Sequence, residues 1–427
     1  MSSTDQLVEL VKFAKNESEF YSNLYEKTKL TDCNIENIPI ATSDEIFKYT
    51  SGDYTKMMTK TIDKTGWVSS SSETTGKAKV SISTYDEWEK QFEILGKKLY
   101  ESSFLRDGDI IANLTCSGKL RLTFLAVTRT LDKSPAKVLE LPIGSDESSE
   151  YIIDMCKKFN VNVIAALPLT LINLAYYINK NKITNLNIDR IFQGGELMYS
   201  SQMELLKKAF PDASFKSFLY GGSDAGIAGY ADNSCGYNEH KVLKESCILE
   251  IVDPKSHQVI KEPNKKGMIL ITSLCRKLMP VIRYSIGDYA CWIDPETESE
   301  RRFSLLGRLN PNFYKLIDSK IYDYHVQSLF NALAVDLKIL RLQIILTTKN
   351  EQDSIDVKIS VWEKQFSDEE IAKKVKKEFY NVFIDYKQYV DDKLCSPVEV
   401  FVLEPEDIKG IYATAVKSRP IIDARVK

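Results

Sequence analysis

The chain is predicted to be an α/β protein: a large N-terminal domain of helix-covered, largely parallel sheets over residues 1–308, then a small mobile α+β domain over residues 309–427. Three observations predict this. Between residues 109 and 210, short apolar runs alternate with stretches of helical period, the pattern of right-handed crossovers and a parallel sheet. Beyond residue 309 the pattern changes: RLQIILTT and SIDVKISV follow each other as strands, the second alternating at Ile355, Val357, Ile359 and Val361. Of the 427 residues, 43% are hydrophobic, enough for separate cores.

In chain order, Leu7, Leu10, Val11, Ala14 and Phe20 recur at helical spacing, giving an amphipathic opening helix with Tyr21 and Tyr25 behind it. Ser43 or Asp44 caps the next helix. Residues 68–79, VSSSSETTGKAK, read as a loop, because hydroxyls compete for backbone hydrogen bonds and Gly resists regular structure. A short strand (VSIS) then leads into a helix over residues 84–100, with Trp88, Phe92, Leu95 and Leu99 on one stripe. Strands are expected at residues 109–115, 136–141, 161–166 and 188–192, and helices at residues 148–159, 169–179 and 200–210. Residues 248–252 and 268–272 read as further strands. In the tail, Val326, Leu329, Phe330 and Leu333 mark one helix, and Ser367 with Glu370 opens another at capping-box spacing.

Charge is nearly balanced, 57 basic against 60 acidic residues, so no overall field draws nucleic acid or an anionic membrane. Any anion site must be local. The opening lacks a basic start with an unbroken apolar core, and no window approaches a membrane-spanning length, so neither a signal peptide nor a span is expected and the cytoplasm is inferred. Eight cysteines without a CxxC pair suit reduced thiols, and three histidines exclude chemistry that needs several His ligands.

Several glycine-rich turns carry the candidate chemistry. The hydroxyl loop, with Ser72, Thr74, Thr75, Gly76 and Lys77, can surround polyphosphate with donors and an ammonium group, although taken alone such a run is more often a solvated linker. Gly194, Gly195 and Glu196 end a strand and let a ligand approach the backbone. Tyr220, Gly221, Gly222, Ser223 and Asp224 offer an aromatic face, room for a phosphate and a carboxylate for Mg²⁺, or else form only a tight Gly-Gly turn. Asp288, held after Gly287, suits a ribose diol, and Gly307 with Arg308 precedes the domain boundary. Cys235 and His240 are a thin Zn²⁺ signal, since a tetrahedral site needs more ligands, and Cys116 reads as a buried thiol.

The order of these motifs resembles the AMP-forming adenylating superfamily of acyl- and aryl-CoA ligases, adenylation domains and luciferase. FYSNLY and KSRPIIDAR look like its phenylacetate-CoA ligase branch, and NLTCSGKL, GGELMYSSQ, SDAGIAGYAD and RKLMPVIRYSIGD look like the griseoluteate-adenylating branch of phenazine antibiotic biosynthesis. The likeness covers nearly the whole chain. It implies ATP and Mg²⁺ as cofactors, a small carboxylic acid of aromatic class as substrate, and CoA, a carrier-protein thiol or an amine as acyl acceptor. By position it implies that Ser72, Thr74, Thr75, Gly76 and Lys77 hold phosphates and that Gly194, Gly195 and Glu196 border adenine. Tyr220 would stack near the base, Asp224 would stand in for the Mg²⁺-binding Glu, and Asp288 and Arg308 would hold ribose or phosphate. Asn310 falls at the hinge of the mobile tail domain, and Lys417 matches the lysine that orients carboxylate and phosphate. A homodimer is compatible with the phenylacetate branch. Glu73 stands where the family loop has Gly, which sets against the enzyme reading an alternative: a nucleotide-binding or scaffold protein that has lost catalysis.

Overall fold

The computed structural model describes residues 3–28, 35–60, 63, 65–70, 79–195, 198–308, 313–349, 352–408 and 420–425. The expected strand and helix alternation builds a five-stranded sheet in the order Leu139–Pro142, Ile110–Leu114, Val163–Ala166, Arg190–Gln193 and Ser214–Ser217, with every pair parallel. Helices Thr123–Lys133, Ser149–Lys158, Pro168–Lys180 and Ser200–Ala209 connect its strands. Apolar strand residues such as Ala112, Ile164 and Ile191 pack with Leu171, Ala175 and Leu205 from the helices. Helix Thr123–Lys133 lacks a side-chain N-cap and is rich in threonine, a weak helix former, so its sequence gave little sign of it; burial of Val127, Thr130 and Leu131 holds it in place.

A second, antiparallel sheet of seven strands runs in the order Cys247–Val252, Gly267–Ser273, Tyr284–Trp292, Arg302–Arg308, Glu239–Val242, Gly226–Tyr230 and Tyr220–Gly222. The opening helices Ser3–Glu17 and Glu19–Leu24 cover one of its faces, so that Leu7, Val11, Phe20 and Tyr21 share a core with Ile271, Tyr284 and Trp292. The segment after them is fastened to the strand Tyr284–Trp292. Arg283 pairs with Glu250 at 2.9 Å and donates to the Ile38 carbonyl at 2.6 Å, while Ala41 exchanges backbone hydrogen bonds with Arg283 and Ser285. Both charges of that pair are buried, each compensating the other.

The loop expected at residues 68–79 begins later than its composition suggests. Val68, Ser69 and Ser70 belong to the strand Gly66–Ser70, which pairs antiparallel with Val80–Thr84. Cross-strand pairing overrides the weak strand propensity of serine here: Ser69 Oγ bonds the Ser81 carbonyl at 3.2 Å and lies buried. Helix Tyr85–Glu101 follows at once, opened by a reciprocal Thr84 and Glu87 capping box, and its expected stripe of Trp88, Phe92, Leu95 and Leu99 is buried.

The smaller C-terminal part is α+β. A long hairpin, Lys338–Lys349 with Gln352–Glu363, is antiparallel, while its flanking strands Glu399–Val402 and Ile421–Asp423 pair in parallel. Ile355, Val357 and Ile359 are buried as the alternation predicts, against Leu329, Phe330, Val375 and Phe379 of helices Asp323–Leu333 and Asp368–Val382. This part docks on helix Ser200–Ala209. Ser201 Oγ donates to the Ile339 carbonyl at 2.8 Å, Gln202 Nε2 to that of Leu340 at 3.1 Å, and Tyr199 stacks on Phe330 at 3.9 Å.

Candidate active site

The candidate site lies where the strands Tyr220–Gly222 and Tyr284–Trp292 and the hairpin Gly66–Ser70/Val80–Thr84 come together. Two polar clusters form it. In the first, Asp288 accepts a hydrogen bond from the Tyr220 hydroxyl at 2.9 Å on one carboxylate oxygen and from Arg308 Nη1 at 2.6 Å on the other. Asp288 and Arg308 meet because their strands pair directly, Asp288 opposite Arg308. Arg308 stays 59% exposed and Asp288 15%, so the pair opens to solvent at the guanidinium. Tyr220 is buried, its ring flanked by His240 at 5.6 Å and edge-on to Phe303 at 5.4 Å. Burial and the neighbouring Asp288 charge push its hydroxyl well above the ordinary tyrosine value, so it acts as a donor throughout the physiological range.

In the second cluster Asp224 Oδ2 accepts from the Tyr284 hydroxyl at 2.6 Å, and Lys79 Nζ lies 3.6 Å from the same oxygen. Lys79 also reaches the Tyr284 hydroxyl and Ser43 Oγ, each at 2.6 Å. Gly222 is what admits the Asp224 side chain: a Cβ there would sit 2.7 Å from Asp224 Oδ1. At Gly221 a Cβ would strike the Gly226 carbonyl oxygen, so the turn also requires glycine on sheet-packing grounds. The Gly-Gly pair thus serves both as a tight turn and as room for a carboxylate.

Behind the second cluster lies Arg276, completely buried. Its Nη1 donates to the carbonyl oxygens of Ser223 and Asp224, and its Nη2 to Ser81 Oγ and the Ile82 carbonyl. Sequence reasoning assigned no site role to Arg276, Tyr284 or Lys79, and took Ser43 or Asp44 for a helix cap, a position that Thr42 holds instead through a reciprocal capping box with Glu45. The one signal for Arg276 is the adjacent pair of cations, Arg276 and Lys277, between apolar runs in ITSLCRKLMPVI.

Of the remaining expected site residues, Gly194 and Gly195 follow the strand Arg190–Gln193, whose last carbonyl accepts from the Phe218 N–H at 2.7 Å. Gly195 takes a positive φ of 89°, a conformation open to glycine. Ser72, Glu73, Thr74, Thr75, Gly76, Lys77, Glu196, Asn310 and Lys417 lie outside the described residues. His240 Nε2 pairs with Ser217 Oγ at 2.7 Å, and the ring stacks on Phe303; burial pushes it down to about 4, so it stays neutral. Cys235 faces Asp232, and its carbonyl accepts from Lys216. Among the described residues no group of three or more His, Cys, Asp or Glu side chains is placed to hold a metal. Every described cysteine is free and buried, and burial raises the Cys116 thiol above its ordinary value. No described helix is long and apolar enough to cross a membrane.

Comparison with solved structures places the fold. Over 98% of this chain and 88% of the other, the fold superposes with a TM-score of 0.75 and 16% identity on 2-hydroxyisobutyryl-CoA ligase in the postadenylation state in complex with 2-HIB-AMP. The chain has the adenylating-enzyme fold. The same ligase with 2-HIB-AMP and CoA in the thioesterification state gives a TM-score of 0.65 at 15% identity, over 99% of this chain and 89% of that one. The acyl acid amido synthetase AtGH3.15, in complex with 2,4-DB, gives 0.69 at 12% identity over 98% of this chain and 90% of that one. Among curated proteins, indoleacetate–lysine synthetase of Pseudomonas savastanoi is 24% identical over 219 residues, so the chain spans 51% of that relative's length, and 51% of this chain is matched. No family model matches the chain. The large N-terminal and smaller C-terminal parts expected from the sequence are those of this fold.

Proposed function

We propose that this chain activates a carboxylic acid with ATP, forming an acyl adenylate and releasing pyrophosphate, and then passes the acyl group to a thiol or an amine. The observation that carries the reading is the pairing of two clusters in one sheet: Asp288 with Tyr220 and Arg308, and Asp224 with Tyr284 and Lys79. The first has the chemistry of a ribose site, a carboxylate open to a diol beside a cation. The second has that of a phosphate site, a carboxylate and an ammonium next to residues 71–78.

Attack of a carboxylate on the α-phosphate brings two anions together, so the chain must supply positive charge and fixed orientation. Lys79 and Arg308 supply charge at the described positions; Ser72, Thr74, Thr75, Gly76, Lys77 and the tail Lys417 keep their expected phosphate roles in this proposal, with Lys417 and Thr75 assigned to the transfer step. Gly194, Gly195 and Glu196 keep theirs beside adenine, and Tyr220, Gly221 and Gly222 theirs along the base and phosphates. Asp224 fits Mg²⁺, because that ion commonly takes one or two carboxylates and completes its shell with water and substrate phosphates. Bound there, Mg²⁺ would offset phosphate charge. The domains are set at residues 1–308 and 309–427, with the tail turning about Asn310.

The resemblance to the phenylacetate and griseoluteate branches supports an aromatic acid. Indoleacetate–lysine synthetase and AtGH3.15 support the amine as acceptor, whereas 2-hydroxyisobutyryl-CoA ligase supports CoA. Pyrophosphate release, measured over a panel of aryl and acyl acids, tests the reading: release that depends on one of these acids is expected, and none with any acid would defeat it. Lys417→Ala is expected to cut adenylation by orders of magnitude, and unchanged adenylation would remove that lysine from the reaction.

A further inference from the structure

Arg276 differs from the other buried cations of this chain. Arg190 pairs with Asp109 and Arg283 with Glu250. Arg276, although wholly buried, has no carboxylate within ion-pair distance among the described residues; all four of its hydrogen bonds go to neutral oxygens. The two carboxylates whose charges reach it, Glu87 and Asp224, are bonded elsewhere: Glu87 Oε1 accepts from the Lys277 and Leu278 N–H groups at 2.8 Å each, and Asp224 Oδ2 from the Tyr284 hydroxyl at 2.6 Å. A guanidinium buried without a carboxylate in direct contact is costly, and a neutral residue of the same size would pack there at lower cost.

What the guanidinium does there follows from where its fork points. One nitrogen holds the carbonyls of Ser223, at 3.3 Å, and Asp224, at 2.8 Å, which fixes the turn that aims the Asp224 carboxylate. The other holds Ser81 Oγ at 2.6 Å and the Ile82 carbonyl at 3.0 Å, on the strand that carries the chain away from residues 71–78. Ser69, on the opposite strand of that hairpin, adds a bond to the Ser223 carbonyl at 3.4 Å. A planar, rigid fork suits such a two-sided tie in a way that a flexible ammonium does not. Asp288, Tyr220 and Arg308 make no bond to Arg276.

We infer that Arg276 is a positioning residue for the polyphosphate end of the nucleotide: it sets the Asp224 turn in register with the Gly66–Ser70/Val80–Thr84 hairpin, and it has no such role toward the nucleoside end. This rests on the adenylation reading above. The consequence is a split between two ligands that share a nucleoside. ATP needs both the hairpin and the Asp224 turn, whereas AMP needs the Asp288 cluster.

The test is titration calorimetry of ATP with Mg²⁺, and of AMP, on the full chain. Three variants are compared with wild type: Arg276→Lys, which keeps the charge and loses the fork; Ser81→Ala, which removes one strap at the hairpin and leaves Arg276 in place; and Asp288→Ala as the nucleoside-end control. Arg276→Lys is expected to weaken ATP about tenfold or more, and Ser81→Ala about threefold, the effect of losing one or two hydrogen bonds, with AMP within twofold of wild type in both. Asp288→Ala is expected to weaken both ligands alike. ATP affinity unchanged in both Arg276→Lys and Ser81→Ala, or ATP and AMP falling together in them, overturns the inference while the Asp288 control leaves the adenylation reading standing. A wild-type chain that binds neither nucleotide overturns both.

Discussion

Asp288 is the residue at which the proposed nucleotide site is most exposed to disproof. Its two carboxylate oxygens already accept from Tyr220 and Arg308, at 2.9 and 2.6 Å, and still present lone pairs to a bound diol. Hydrogen bonds to a charged group contribute about 1.5–3 kcal/mol each. Two bonds from the ribose hydroxyls, less what water provides to the free site, give roughly 2–4 kcal/mol, which is about 30- to 1,000-fold in affinity. Asp288→Ala is therefore expected to weaken AMP and ATP by that factor. The same change strands the buried Tyr220 hydroxyl, at a cost of about 1–3 kcal/mol in stability. Asp288→Asn separates the two effects, because its amide oxygen still accepts from Tyr220 while the charge is gone. It should retain the wild-type melting temperature and lose about tenfold in nucleotide affinity. Calorimetric titration with AMP, alongside thermal melting, reads both quantities. AMP affinity within twofold of wild type in a folded Asp288→Ala protein would refute the reasoning.

Three further predictions concern other parts of the molecule. Asp224→Asn should raise the Mg²⁺ concentration needed for half-maximal pyrophosphate release by about tenfold, through loss of a carboxylate ligand; an unchanged metal titration would remove Asp224 from the metal. His240 is held neutral by burial, down to about 4 against the 6.5 of an unfolded chain, so its contribution to stability is fully present above pH 6.5 and is lost as the pH falls toward 4. The loss amounts to about 3 kcal/mol at about 1.4 kcal/mol per pH unit, and a His240→Gln protein whose denaturation profile keeps the same acid slope would show another group to be responsible. Glu250→Gln leaves the Arg283 cation buried without its counter-ion and should cost about 3–5 kcal/mol, read as a lowered urea midpoint; a midpoint equal to wild type would show the pair to be dispensable.

The parts of the fold that were legible in the sequence are those governed by local periodicity. The stripe Trp88, Phe92, Leu95, Leu99 and the alternation at Ile355, Val357 and Ile359 each come from one face of one element, and each is buried. The parts that were not legible depend on partners distant in sequence. Ser69 and Ser70 are strand residues because Val80 and Ser81 pair with them, and the threonine-rich helix Thr123–Lys133 exists because its core covers it. The site divides in the same way. Glycine turns announce Tyr220 to Asp224 and Asp288, since the backbone there has to be small; nothing local announces that Tyr220 bonds Asp288 across 68 positions, or that Arg276 ties Ser81 to Asp224. Arg283 shows the converse: it neighbours the ribose candidate in sequence, yet it points into the core toward Glu250 and Ile38.

The fastening of the N-terminal segment to the strand Tyr284–Trp292 bears on how the chain can be made. The Tyr21 hydroxyl is bonded to the Ile282 N–H and the Pro280 carbonyl, the first of these partners lying 261 positions later. At about 5–20 residues per second, a ribosome needs roughly 13 to 50 s to supply that partner after Tyr21 emerges. Leu7, Val11, Phe20 and Tyr21 can meet only early neighbours such as Ile46, Met57 and Ile82 during that interval, because the sheet face that completes their core carries Ile271, Tyr284 and Trp292. Helices Ser3–Glu17 and Glu19–Leu24 thus leave the ribosome well before the face that holds them, and synthesis of this chain should be more sensitive to holdase chaperones than its balanced charge and well-filled cores would suggest.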